Sequence, residues 1–450
     1  HAFAPAHRLL NSMKLHQTYR YRMLFVNLPL VLMGWMVFTW LGNRFFPLPP
    51  QQITITSGPK DGAYRKYAEA YASALALRGV TVQTLESAGS VENLERLSNP
   101  GKLADAGFVQ GGFALKQSTP TGAVDIQTIA QIDMEPVWLF TRLPDVNSLE
   151  QLRGKPVAIG RPGSGSYPIT LDLLEQEHLG PQNLAEAPHV SIKTADDLRQ
   201  AKIDAAMFVI GFDAPLLHAM SQVPGIRLVQ LRRTAALSER LPYLEPYLLP
   251  AGTLNAQTGF PGEDTILLTA MTNLVVREDL HPAIKRLLAA MAADMHKGAG
   301  PMHAAGDFPH LKRVEFPSAA EARHTLAYGL PWLETVLEPR LAYWIYRCLL
   351  IGLPVLLLAV FLSRLIFVCM HWLLENRING WYGELKFIEN DLAQPNRPGG
   401  LEFARHHRQL SSIEEELKGF RAPQEFNQRL FMLQEHIAFV RNKIQESRGR

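Results

Sequence analysis

Along residues 53–292, short apolar runs alternate with glycine-bearing loops and with longer stretches whose apolar positions recur every three or four residues. Ile53-Thr54-Ile55-Thr56 and Val80-Thr81-Val82-Gln83-Thr84-Leu85 alternate with the two-residue period of a half-buried strand. Between them Ser57-Gly58-Pro59-Lys60-Asp61-Gly62 leads into a predicted helix from about Tyr64 to Leu77. Gly89-Ser90-Val91-Glu92-Asn93 opens a second helix with Ser90 as the expected N-cap. ADAGFVQ (104–110) and IQTIAQI (126–132) read as strands, and Val137-Trp138-Leu139-Phe140 as a further apolar run. Repeated strand, loop and helix units predict a mostly parallel α/β sheet with helices on both faces.

A second series starts at Gly154. Val157-Ala158-Ile159 is a strand bounded by Pro156 and Gly160, and Gly160-Arg161-Pro162-Gly163-Ser164-Gly165-Ser166 is a loop of little bulk. Leu171, Leu173, Leu174 and Leu179 then mark a helix that stops at Gly180-Pro181. A glycine loop at a helix start gathers free N–H groups and the positive end of the helix dipole, which favours an anion. His189-Val190-Ser191-Ile192, IDAAMFV (203–209), Ile226–Val229 and 265–276 read as further strands, with a proline-bearing segment at 243–247 and a last helix at 281–295. Two such lobes face one another across a cleft that closes on a small molecule.

The flanks are of another kind. Residues 23–42 carry no charge and are long enough, at about 20 residues, to cross a bilayer. Arg8, Lys14, Arg20 and Arg22 precede them and no acid occurs before Asp61, so the N-terminus is expected in the cytoplasm. The flanking Trp40, Asn43, Arg44 and Phe45 favour a retained anchor over a cleaved signal. Residues 341–374 are a second span, uncharged from Cys348 to Ser363 between Arg347 and Arg364, with Pro354 expected to kink it. Both termini then lie in the cytoplasm of a bacterial inner membrane and the main domain in the periplasm. The sequence opens on His1 rather than Met, and a few preceding residues are expected. In the tail, Leu410, Ile413, Leu417 and Phe420, then Leu430, Leu433, Ile437, Val440 and Ile444, form two amphipathic helices around Pro423. They suit self-association, a cytoplasmic partner, or a hairpin packed on the juxtamembrane helix.

Charge and chemistry narrow the field. A net charge of +3 in 450 residues argues against nucleic acid as a partner. Both cysteines, Cys348 and Cys369, lie in the second apolar segment, and no metal, disulfide or cofactor spacing is present. The chain has no phosphate-binding G-x-x-x-x-G-K-[ST] motif and no G-x-S-x-G nucleophile elbow. Asp133 and Glu135 share a strand face but have no identifiable nucleophile or base beside them, and read as solvated strand-end charges. A non-enzymatic binding protein is expected.

Taken together, SGPKDGAYRKYAEAYASALAL (57–77), AGSVENLERL (88–97), ADAGFVQ (104–110), LRGKPVAIGRPGSGSY (152–167) and KIDAAMF (202–208) resemble the TAXI family of TRAP-transporter solute-binding proteins. The resemblance runs from about Ile53 to Ala292, and PHLKRVEFPS and RINGWYGELKFIE beyond it resemble a membrane-anchored subgroup. It implies a two-lobed type II periplasmic-binding-protein fold, a small carboxylate or amino-acid-like ligand and a TRAP permease partner. Expected boundaries are a cytoplasmic segment 1–22, a span 23–42, a binding domain 51–330 (lobe one about 51–138 and 250–330, lobe two about 139–249), a span 341–374 and a tail 375–450. Ala63 stands where the family has threonine, and Gly111-Gly112 where it has Ser-Asp, so the pocket is expected to differ. The candidate ligand contacts are Tyr64, Ser90, Asn93, Gln110, Arg161, Ser164, Gly165, Ser166 and Phe208. The alternative function is a membrane sensor or scaffold that works through the tail.

Overall fold

The computed structural model describes residues 26–60, 62–113, 125–393, 400–420, 422 and 424–448. The segment 1–22 with its four basic residues, the start of the first apolar run, Asp61, residues 395–399 and Pro423 lie outside them. The chain divides into two compact units, Leu48–Trp344 and the remainder.

Residues 48–344 hold a nine-stranded sheet, ordered β2-β1-β3-β9-β4-β6-β5 with β7 on β4 and β8 on β9. The strands are β1 (Gln52–Thr56), β2 (Thr81–Leu85), β3 (Ala106–Gln110), β4 (Ile126–Thr141), β5 (Val157–Ile159), β6 (Ala205–Val209), β7 (Arg227–Leu228), β8 (Leu244–Leu249) and β9 (Thr265–Arg277). Helices used below are α1 (Ala63–Ala76), α2 (Ser90–Ser98), α3 (Ser166–Gln176), α4 (Thr194–Arg199), α5 (Pro215–Ser221), α6 (Thr234–Arg240) and α7 (Pro282–His296).

The sheet is mixed, which corrects the mostly parallel expectation. β1 pairs in parallel with β2 and β3, and β5 with β6, because helical crossovers return the chain in the same sense. Every pairing made by β4 and β9 is antiparallel. The two runs expected at 126–132 and 137–140 are one sixteen-residue strand, β4. It is irregular between Thr128 and Ala130 and between Gln131 and Asp133. Pairing β9 with one half and β6 with the other, β4 passes from one lobe to the next.

Two cores flank that crossing. Ile53, Ile55, Tyr71, Phe108, Ile129 and Leu274 pack with Ile284 and Leu288 of α7 in the first lobe. Leu139, Ile159, Leu173, Met207 and Leu268 fill one side of the second lobe, and Trp138, Phe140, Phe208 and Met220 the other. Each fully buried aliphatic or aromatic side chain contributes about 1.5–3 kcal/mol. The second-lobe core includes Leu267, Leu268 and Ala270, so the boundary expected near 250 falls inside β9. Residues 189–192 form no strand; they run as a loop pinned by Val190 N–H to the Ile159 carbonyl at 2.9 Å.

The other unit is helical. Helix Leu28–Phe45 lies against the helix Leu353–Leu392, where a Cβ on Gly34 would stand 3.3 Å from Val355 and one on Gly352 3.3 Å from Phe38. Arg347 donates to Asn43 at 2.5 Å and Ser363 to Asn27 at 2.7 Å. Pro354 makes no sharp break: Cys348–Gly352 loosens into a π turn, with Leu353 N–H on the Cys348 carbonyl, before the helix resumes. Among the described residues, one helical run, Pro339–Leu392, is long and apolar enough to cross a membrane by length and composition.

The tail helices Gly400–Gly419 and Asn427–Arg448 pack on the end of that run. Leu410, Ile413, Leu433, Ile437 and Val440 bury against Ile378, Trp381, Leu385 and Ile388. The hairpin closes on the end of its own long helix, which covers these apolar residues.

Candidate ligand cleft

A cavity of about 360 Å³ lies where the lobes meet at the crossing strands. Four helices begin on its wall: α1 at Ala63, α2 at Ser90, α3 at Ser166 and α5 at Pro215. The first turns of α1 and α3 hold no acid of their own, so these helix starts favour an anion. Arg161 lies exposed at the rim, with the loop Val190-Ser191-Ile192 and the start of α5 opposite.

The floor is Glu135, in the middle of β4 and 5% exposed. Its Oε1 accepts from Tyr64 Oη at 2.7 Å and Thr272 Oγ1 at 2.5 Å, and its Oε2 from Gln110 Nε2. Burial pushes the carboxyl up to about 7; the three donors pull the other way and Asp133 adds to the rise. Asp133 and Glu135 are therefore not solvated strand-end charges. The strand was expected to end at Ile132, before both of them, and instead continues to Thr141.

Gln110 is held from three sides. Its N–H donates to Ser90 Oγ at 3.0 Å, and its side-chain amide donates to Glu135 and to the Val209 carbonyl at 3.3 Å in the other lobe. Two acceptors on Nε2 fix the amide orientation, so Oε1 is a buried acceptor with no partner. Close approach across the cleft requires Gly165: a Cβ there would lie 1.8 Å from Gln110 Oε1 and 2.8 Å from Ser90 Oγ. Gly89, at φ +135°, is the first-lobe counterpart, its missing side chain facing Ser164 Cα at 3.2 Å.

Tyr64, Ser90, Gln110, Arg161, Ser164, Gly165 and Ser166 all line the cavity. Two of the hydroxyls are engaged within their own lobe: Ser166 Oγ exchanges hydrogen bonds with the Val209 carbonyl (2.8 Å) and N–H (3.0 Å), and Ser164 Oγ donates to the Arg161 carbonyl at 2.7 Å. Ser90 is not an N-cap. Gly89 takes that place, and the Ser90 hydroxyl serves Gln110.

Asn93 and Phe208 lie outside the cavity. Asn93 is fully buried, donating to the Ser57 and Phe108 carbonyls at 2.6 and 2.8 Å and accepting from Thr56 and Ser87. It staples α2 to β1 and β3. Phe208 stacks on Phe140 at 5.9 Å in the second-lobe core. Gly111 and Gly112 are not cavity walls either; Tyr243 and Glu315 cover them, and Gly112 at φ +100° has no room for a side chain beside the Tyr243 ring.

Glu135 is the principal residue that the sequence reading left out. Its signal was a charged pair embedded in an otherwise apolar stretch, visible once 126–141 is taken as one strand.

The chain is similar to several solved structures. The Escherichia coli periplasmic aliphatic sulphonate-binding protein SsuA is 16% identical, with 54% of this chain and 68% of that chain covered and a TM-score of 0.34. The periplasmic sulfonate-binding protein SsuA of Methylobacillus flagellatus KT is 16% identical, covering 54% and 67% at 0.32. A Xanthomonas citri protein bound to ATP is 13% identical, covering 66% and 98% at 0.37. The sequence profile of the NMT1-like family matches residues 55–296, over half of the chain and every position that lines the cleft. This chain belongs to the NMT1-like family.

Proposed function

We propose that the chain is a membrane-tethered solute-binding receptor of the TAXI kind. Its lobes close on a small organic anion or amino-acid-like carboxylate and present it to a TRAP-type permease. The observation that carries this reading is the cavity itself, whose walls come from opposite lobes that approach closely at Gly89 and Gly165. Arg161 and the starts of α1 and α3 favour a carboxylate, while Gln110 Oε1 and Glu135 give an N–H donor of the ligand a place on the floor. In this reading residues 26–45 and the apolar part of Pro339–Leu392 are anchors, the receptor faces the periplasm and the tail the cytoplasm.

The full chain in detergent, heated with a panel of amino acids and short mono- and dicarboxylates, is expected to unfold at higher temperature with at least one of them. Uniform indifference across the panel would overturn the reading.

A sensor or scaffold role is favoured by a different observation. The helix Leu353–Leu392 runs unbroken from the apolar segment into the tail bundle, where Phe431, Met432 and Phe439 are exposed. Removing 401–450 is expected to spare ligand response in both readings. Loss of a cytoplasmic partner on the same deletion would favour the sensor.

A further inference from the structure

A second cavity of about 260 Å³ lies on the other side of Ala63 and Gly211, which border both. Its walls come from α1 and β4, the loop after β6, and the end of α7 with the following segment to His303. Nothing in the proposed receptor function uses it. Its chemistry is the reverse of the cleft's. One helix start borders it, that of α1 at Ala63, but no lysine or arginine lines it, whereas Asp133 and Asp213 do.

Asp133 is the deeper of the two. Its carboxylate accepts from Tyr67 Oη at 2.5 Å and from the Met134 N–H at 2.8 Å, both neutral donors, and it has no ion pair with lysine or arginine among the described residues. Burial raises its pKa; the hydrogen bonds from Tyr67 and Met134 and the nearby His303 oppose that rise, and Asp213 adds to it. His296 stands beside it, edge-on to Tyr67 with ring centres 5.3 Å apart and stacked on Tyr71 at 6.0 Å. Burial holds the His296 pKa down to about 4, so at neutral pH the ring is uncharged. Its Nε2 is buried without a hydrogen-bond partner. The remaining walls include Phe212, Met295 and Met302, which offer a ring face and polarisable thioethers.

We propose that this cavity is a second ligand site, one that takes a small protonated alkylamine. The ammonium group would sit against Asp133 with Asp213 at the rim and donate a hydrogen bond to His296 Nε2, while the alkyl part lies on Met295, Met302 and Phe212. An anion meets two carboxylates and neither lysine nor arginine there. A hard metal ion is poorly served, since thioether and ring walls do not coordinate it and no cluster of three or more metal-ligating side chains exists among the described residues. The wall residues come from both lobes: His296 ends the helix of the first core, Met302 belongs to the second, and Asp133 sits on the strand between them. An amine bound here therefore favours the closed arrangement. The inference does not depend on what the cleft binds.

The test is thermal unfolding of the full chain in detergent at pH 8 with n-propylammonium chloride, against sodium chloride at equal ionic strength and against 1-propanol. A saturable rise in midpoint with the amine alone is expected. Asp133→Asn should weaken that response by about tenfold or more, and Glu135→Gln should leave it unchanged. If Asp133→Asn does not fold, Asp213→Asn at the exposed rim should still weaken it severalfold. A response equalled by sodium chloride or 1-propanol overturns the proposal. So does one lost in Glu135→Gln but kept in Asp133→Asn, which would put the amine in the cleft, or one untouched by both aspartate changes.

Discussion

The two cavities are built around carboxylates two residues apart on β4, and the contrast between them shows how one strand serves two sites. Tyr64 reaches Glu135 and Tyr67 reaches Asp133, so α1 runs along β4 in the opposite sense. One helical step of three residues, about 4.5 Å, is matched to a strand step of two, about 6.6 Å. Each tyrosine gives a neutral hydrogen bond. What differs is the rest of the shell. Glu135 is closed in by Thr272 and Gln110, whereas Asp133 opens on histidines and a second acid. The same burial raises both carboxyls, one on a closed-in floor and the other on a wall open to a second acid.

The sharpest way to break this comparison is to remove the titration of Glu135. In the folded protein its carboxyl keeps a proton from its ordinary 4.5 up to about 7, a range in which the unfolded chain has released it. The folded state then binds more protons, so this group's contribution to stability is full below pH 4.5, falls as pH rises and is lost above 7. The loss is on the order of 3 kcal/mol. Glu135→Gln is expected to flatten unfolding midpoints between pH 5 and 8 and to exceed the wild type at pH 8. A wild-type midpoint that does not decline across that range would show the floor carboxylate to be ordinary.

Next in size is Gly165→Ala. The backbone there has φ −64°, so alanine meets no conformational penalty, and the whole effect comes from a Cβ 1.8 Å from Gln110 Oε1. Overpacking of this kind costs about 1–3 kcal/mol, here charged to closure of the lobes and not to folding of either. Ligand response should weaken by roughly tenfold to a hundredfold, with the unliganded midpoint nearly unchanged. Small-angle scattering with and without ligand would separate the closed from the open form. An unliganded midpoint that falls as much as the response would mean that the glycine serves folding alone.

Legibility in the sequence followed the same division. Strand, loop and helix order was readable because two-residue and 3.6-residue periods are local properties, and α1, β9 and α7 fall within a residue or two of expectation, while α3 begins and ends three residues early. The glycine loop at 160–166 could be placed for a related reason: small residues before an apolar helix mean close approach whatever approaches. The roles of Asn93, Phe208 and Ser166 could not be read. An asparagine that staples backbones, a phenylalanine that fills a core and a serine that ties a helix to a strand look in sequence like ligand contacts. Which one a residue is depends on partners far along the chain. Glu135 was missed for a sharper reason. Its environment is made by α1, β3 and β9, none of which is near it in sequence.

The smallest predicted effect separates the two cavities most cleanly. Tyr64→Phe removes the hydroxyl that donates to Glu135, and Tyr67→Phe the one that donates to Asp133, each leaving the ring in place. Either change should cost about 1 kcal/mol. They differ in what else moves. Without Tyr64 the floor carboxylate loses one of the donors that hold its pKa down, so the pH at which stability declines should shift upward while the amine response at pH 8 is kept. Without Tyr67, Asp133 keeps only the Met134 N–H, so the amine response should change while the pH decline stays where it was. Midpoints measured against pH and against propylammonium for both variants give four readings, and the two sites are independent only if they sort along the diagonal. Both tyrosines moving both readings would mean that the wall at Ala63 and Gly211 does not separate two sites, and that β4 carries one extended site with two carboxylates.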